Sequence, residues 1–214
     1  MPLKEEYISG KEKIARLFKG KKHEAVAGSR IPPGQHVIDE FRVLDLGVQP
    51  DFDPDSWKLK VYGLLEGNKE YEFSYDDILK IPPTGITADF NCVTSWTKFD
   101  IKWKGIAWRD FVNIVKPLPN WKYLIQYSLD GYSTNVPRED LEKDEKTILA
   151  YELEGKPLPR EHGWPLRFII PHLYGWKGAK FLKAIKFVEK DEPGFWETRG
   201  YNARGDIWKE ERYS

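Results

Sequence analysis

The chain has 214 residues with 34 basic and 34 acidic side chains, so its formal net charge of zero sets up no overall field toward nucleic acid or an anionic membrane, and any anion site must be local. A hydrophobic content of 40% is enough to bury one substantial core without disulfides, and no apolar run approaches the roughly 20 residues of a membrane span. A single cysteine and an N-terminus, Met1 to Glu6, without the apolar stretch of a secretory signal make the cytoplasm the expected compartment; one Cys, one Met and abundant Lys and Glu also fit a thermophile's composition.

Residues 1–30 read as a polar, net basic arm, densest at Lys19-Gly20-Lys21-Lys22, in which Glu12 to Phe18 has the pattern of a short amphipathic helix. Such a charge run is ordinarily a solvated face, and nucleic acid is not an expected partner. Ile31-Pro32-Pro33-Gly34-Gln35 punctuates the entry into one body, residues 31–214. Trp57 to Gly63 alternates with period two, Glu66-Gly67-Asn68-Lys69 is turn chemistry, and Glu70 to Phe73 is the returning strand of a hairpin. Ser74 with an acidic residue three positions on predicts a capped helix that Pro82-Pro83 stops. Farther along, Trp103 to Ile106 reads as a turn into a helix over Trp108 to Val115. Trp121 to Ser128 reads as a strand, Asp130-Gly131 as a tight turn, Glu139 to Lys143 as a helical turn and Ile148 to Leu153 as a strand. Short strands, frequent Gly and Pro turns and a few short helices predict an α+β chain with mixed, mostly antiparallel sheets. No GxGxxG or Walker loop is present, so the common nucleotide sites have no support.

Cys92 is the residue to which chemistry attaches. Ile86-Thr87-Ala88-Asp89-Phe90 alternates as a strand does, and the thiol arrives just past its end, within Asn91-Cys92-Val93-Thr94-Ser95-Trp96. An unpaired cysteine is either a small buried apolar residue or a soft ligand or nucleophile, and a loop at a strand end is where rigid scaffolds display reactive groups.

The second informative stretch is Gly155 to Pro171, where an apolar strand, Leu166 to Ile170, carries Arg167 and follows His162-Gly163. A buried guanidinium needs an anion, either an internal carboxylate or a bound phosphate. Close behind, Tyr174-Gly175-Trp176-Lys177-Gly178-Ala179-Lys180 offers two lysines and two glycines, a backbone able to approach an anion. A thiolate site and a phosphate site on one domain suit a metal cofactor with a phosphorylated organic ligand.

The order Cys-Val-Thr-Ser-Trp, Asp130-Gly131-Tyr132-Ser133-Thr134, Ala150 to Leu158, His162-Gly163-x-Pro165-Leu166-Arg167 and Tyr174 to Lys180 resembles the oxidoreductase molybdopterin-binding domain of the sulfite oxidase family. The resemblance covers about residues 31–214 and is nearest to small, haem-free prokaryotic members, including the catalytic subunit of the periplasmic methionine sulfoxide reductase. It implies a sulfite-oxidase-type fold and a molybdopterin with molybdenum as cofactor. Cys92 would be a direct metal ligand, His162 and Arg167 would contact pterin and phosphate, and Gly178, Ala179 and Lys180 would supply backbone and charge to the phosphate. Ser128, Phe41 and Arg42 fall where the family touches the cofactor. Two-electron oxygen-atom transfer on a small sulfoxide, N-oxide or sulfite-like substrate is the implied activity. The chain has no haem ligand set, no cluster cysteines and no flavin or nicotinamide fingerprint, so a separate electron-transfer partner is expected. Two other readings of the residues compete: a cysteine-nucleophile enzyme in which His162 or His172 activates Cys92, and a non-enzymatic module binding through its nine tryptophans.

Overall fold

A computed structural model describes residues 5–20, 22–24, 26–53 and 55–214; Lys21 of the basic run and the first four residues lie outside them. The elements in chain order are α1 (Glu5–Phe18), β1 (His36–Val37), β2 (Lys58–Gly63), β3 (Tyr71–Ser74), α2 (Tyr75–Lys80), β4 (Thr84–Cys92), β5 (Trp96–Ala107), α3 (Trp108–Val115), β6 (Tyr123–Ser128), β7 (Ser133–Pro137), α4 (Arg138–Lys143), β8 (Ile148–Leu153), β9 (Lys156–Pro157), β10 (Arg167–Ile169) and β11 (Leu182–Val188). The strands form two mixed sheets, and the fold is α+β as expected. Among the described residues no helix is long and apolar enough to cross a membrane.

The first sheet runs β1-β5-β8-β10, with β4 also on β5 and β9 on β8. The second runs β3-β2-β11-β6-β7. Pairing is antiparallel except for β1 with β5 and β11 with β2. The predicted hairpin of β2 and β3 forms, and α2 begins with the predicted capping box. There the Ser74 hydroxyl accepts from the Asp77 N–H at 3.2 Å, and Asp77 accepts from the Ser74 N–H at 3.1 Å. Such a cap contributes about 1 kcal/mol to a helix of only six residues.

The turn expected at Trp103 to Ile106 is instead the second half of β5. Gly105 sits where the β5–β8 register shifts, and a Cβ there would lie 1.9 Å from the Leu149 carbonyl oxygen. Glycine here permits a close approach of two strands, which in sequence looks the same as turn glycine. Aromatic side chains fill the main core: Phe187 stacks on Trp108 at 6.0 Å and meets Trp121 edge-on at 5.1 Å. Helix α1 starts at Glu5 rather than Glu12, and its Ile8 and Ala15 belong to the main core.

Candidate functional site

The hairpin of β4 and β5 builds the thiol end. Cys92 is the last residue of β4 and pairs with Trp96, so Val93-Thr94-Ser95 is a three-residue loop with Ser95 at φ 71°. The loop is tied from outside the sheet: the Gln35 side-chain amide donates to the Cys92 carbonyl at 3.1 Å, and Arg212 donates to the Val93 carbonyl at 2.7 Å. Arg212 is buried, also donates to the carbonyls of Pro33 and Gly34, both at 3.1 Å, and pairs with Glu210 at 3.2 Å. Cys92 is 8% exposed, and its sulfur lies 3.1 Å from the Thr94 hydroxyl. Burial pushes the thiol's pKa up, with the Thr94 contact acting against it.

Arg167 opens β10 and is 3% exposed. No carboxylate among the described residues lies within ion-pair distance of it. One guanidinium nitrogen donates to the His162 carbonyl at 2.8 Å while its buried Nε has no partner. Phe41, Phe90 and Trp103 face it at 5.9, 5.4 and 5.2 Å. Ring faces are weak substitutes for an anion, and burial pulls the guanidinium pKa down to about 9. Lys180 is in the same position: it donates to the Glu161 carbonyl at 3.0 Å, and burial followed by the charge of Arg167 brings it to about 8. Two partly desolvated cations that repel each other are an arrangement that a bound anion would relieve.

Both sets of residues line one cleft. Seven of the nine sequence candidates line it: Phe41, Arg42, Cys92, His162, Arg167, Gly178 and Lys180. Ser128 and Ala179 are buried beside it without lining it, and the Ser128 hydroxyl has no hydrogen-bond partner. The backbone donors expected of the 178–180 loop are already engaged, Gly178 with the Gly175 carbonyl at 3.3 Å and Ala179 with the Gln126 side chain at 2.8 Å. The role of Gly178 is space: a Cβ there would lie 2.2 Å from the Phe168 carbonyl oxygen. Sequence reading missed Lys11 of α1 together with Tyr132, Trp176, Trp196 and Tyr201, all of which line the cleft.

Phe41 stacks on His162 at 4.6 Å with the rings 4° apart. Burial and then the charge of Arg167 hold the His162 pKa down to about 4, against 6.5 in an unfolded chain. Because the folded value is the lower one, the stability this neutral imidazole brings is complete above pH 6.5 and lost as pH falls from there toward about 4. We expect urea titrations of cofactor-free protein to lose at most about 3 kcal/mol through this group over that window, and His162→Gln to flatten that part of the curve; matching curves would show that His162 is not held neutral.

The other histidine proposed to activate Cys92 is elsewhere: His172 lies 3.3 Å from Asp140 and 3.9 Å from Asp144. A protonated buried thiol and a histidine occupied by carboxylates do not make a nucleophile pair. The tryptophans do not form a binding surface either, since of the nine only Trp208 is markedly exposed. Among the described residues no group of three or more His, Cys, Asp or Glu is placed to hold a metal ion, so any metal in this cleft must bring most of its own ligands.

Fold and cleft together define an oxidoreductase of the molybdopterin-binding class. Residues 46–196 match the oxidoreductase molybdopterin binding domain, and the chain belongs to that family. The uncharacterized oxidoreductase YuiH of Bacillus subtilis (strain 168) is 37% identical over 199 residues, 92% of this chain and 99% of that protein. The protein-methionine-sulfoxide reductase catalytic subunit MsrP of Ralstonia nicotianae is 31% identical over 167 residues, 71% of this chain but 50% of its own length, so the chain spans about half of that relative. Among solved structures, the sulfane dehydrogenase SoxCD of Paracoccus pantotrophus superposes with a TM-score of 0.61 at 20% identity, over 75% of this chain and 46% of that one, which establishes the shared fold.

Proposed function

We propose that this chain binds molybdopterin with molybdenum and transfers an oxygen atom to or from a small substrate, with Cys92 as the protein's ligand to the metal. The observation that carries this reading is one cleft lined both by the chain's only thiol and by two cations, Arg167 and Lys180, that form no ion pair among the described residues. A soft sulfur suits a soft metal, and a guanidinium fork with an ammonium suits a phosphate. The orphaned Nε of Arg167 is a donor that such a phosphorylated ligand would satisfy.

When bound, the group supplies two-electron exchange coupled to oxygen transfer. The protein's part is to hold and position. Arg167 and Lys180 neutralise the phosphate, the stacked Phe41 and His162 offer a flat face to the pterin, and the clamped loop fixes the direction of the Cys92 thiolate. The neutral His162 leaves a ring nitrogen able to accept a hydrogen bond there. Electrons must come from a separate molecule, since the sequence carries no second redox group; such redox encounters are small and transient.

The test is to purify the protein from a host that makes the cofactor, measure its metal, and assay a panel of sulfoxides and N-oxides with reduced viologen. Each turnover takes two electrons and two protons, turning the oxo compound into its deoxygenated form and water. We expect molybdenum stoichiometric with the chain, viologen oxidation with at least one panel member, and no turnover with NADH alone. Molybdenum-free protein from a competent host would defeat the cofactor assignment, and efficient oxidation of sulfite by ferricyanide would reverse the direction of transfer.

A further inference from the structure

Helix α1 lies outside residues 46–196, yet it closes the thiol end of the cleft. Ile8, Lys11 and Ala15 fall at i, i+3 and i+7, one stripe of the helix. Ile8 and Ala15 are buried in the main core, so the stripe that carries Lys11 faces inward. A lysine in that position ordinarily snorkels outward or meets a carboxylate. Lys11 meets rings instead: its Nζ lies 4.6 Å from the Tyr7 ring centre and 5.5 Å from that of Trp196. Among the described residues it has no hydrogen-bond or carboxylate partner, whereas its neighbour Glu12 is paired with Arg199 at 3.2 Å, which anchors the helix. Lys11 is close enough for its charge to act on the Cys92 thiol. The wall around it, Val93, Trp196 and Tyr201, is apolar or aromatic.

We infer that Lys11 is a specificity-determining residue that holds the anionic group of the substrate, which is a small organic S-oxide or N-oxide bearing a carboxylate, with its apolar part against Trp196 and Tyr201. This inference rests on the oxygen-transfer reading for its oxo group but not for its anion site. Aromatic walls alone would take a neutral compound as readily. The ammonium adds a fixed charge within a partly desolvated cleft, where a charge-assisted hydrogen bond is worth most. Because α1 also supplies the inward Ile8 and Ala15, the charge is positioned by core packing rather than by a loose side chain.

The probe is (methylthio)acetate against its methyl ester, titrated into the full-length protein and followed by tryptophan fluorescence and calorimetry. The titration is done in the Arg167→Met/Lys180→Met background, so that neither of those two cations can hold the carboxylate. We expect the carboxylate to bind at least tenfold more tightly than the ester, Lys11→Met to abolish that preference without changing ester binding, and Lys11→Arg to restore it. Carboxylate and ester binding alike, or a Lys11→Met protein that keeps the preference, would overturn the inference. In cofactor-loaded protein with otherwise native sequence, turnover of (methylsulfinyl)acetate should suffer from Lys11→Met through KM rather than kcat. Loss of anion preference in a protein that turns over no oxo compound would leave Lys11 as an anion-holding residue and defeat the oxygen-transfer reading alone. Ready turnover with indifference to Lys11 would do the reverse.

Discussion

We expect Cys92→Ser to abolish redox turnover and to loosen the metal, while the fold survives. Serine matches cysteine in shape, and its hydroxyl can keep the contact now made by the sulfur to Thr94 at 3.1 Å, so the change in unfolding free energy should be within about 2 kcal/mol. As a ligand the two differ sharply, because an alkoxide is harder and its parent alcohol far less acidic than a thiol. Metal analysis, viologen assay and thermal melts on one preparation read all three effects. A variant that melts like wild type but keeps its metal and activity would remove Cys92 from the site. A variant that fails to fold would mean the sulfur is core packing, as its 8% exposure alone would allow.

Arg167→Met should move stability and function in opposite directions. In the cofactor-free protein the guanidinium is buried against three rings with no carboxylate beside it, and a thioether of similar length fills that space without the desolvation cost. We expect the cofactor-free variant to be more stable by roughly 1–4 kcal/mol, the range found when buried ionic groups give way to packed apolar ones. Cofactor retention should fall at the same time. Losing a charge-assisted contact to phosphate costs about 1.5–3 kcal/mol, roughly 10- to 150-fold in affinity. An internal ion pair would give the contrary pattern, destabilisation with cofactor content unchanged, so the two measurements together decide which kind of arginine this is.

Local signals were legible in the sequence wherever the cause is local. The capping box of α2, the hairpin of β2 and β3, and β8 follow from residues within a few positions of each other. Arg167 was legible as an arginine in an apolar strand, but its lack of a carboxylate was not, because that depends on what β5 and the Phe41 segment bring to it. Strands β7 and β11 carry no distinct period, and β11 is specified by pairing with β2 and β6 on its two sides. Lys11 was hidden for a different reason. With the helix read as starting at Glu12, the Ile8-Lys11-Ala15 stripe does not exist, and a lysine in a basic arm reads as solvated. That the N–H groups of Gly178 and Ala179 already have acceptors within the protein was not legible, because glycine content shows that a chain can approach an anion, not whether its N–H groups are free.

The Arg212 clamp has a consequence in time. Its hydrogen bond to the Val93 carbonyl joins positions 119 residues apart. At a synthesis rate of about 5–20 residues per second, the ribosome spends roughly 6–24 s making chain between the cysteine loop and the residue that fastens it. During that interval β4 and β5 can pair, since their hairpin is local, but the thiol end stays open to whatever reaches it. Translation speed, chaperones that cover nascent chain, and the moment at which a cofactor is delivered therefore all bear on the same few residues, and the site is sealed only after its sheets are in place.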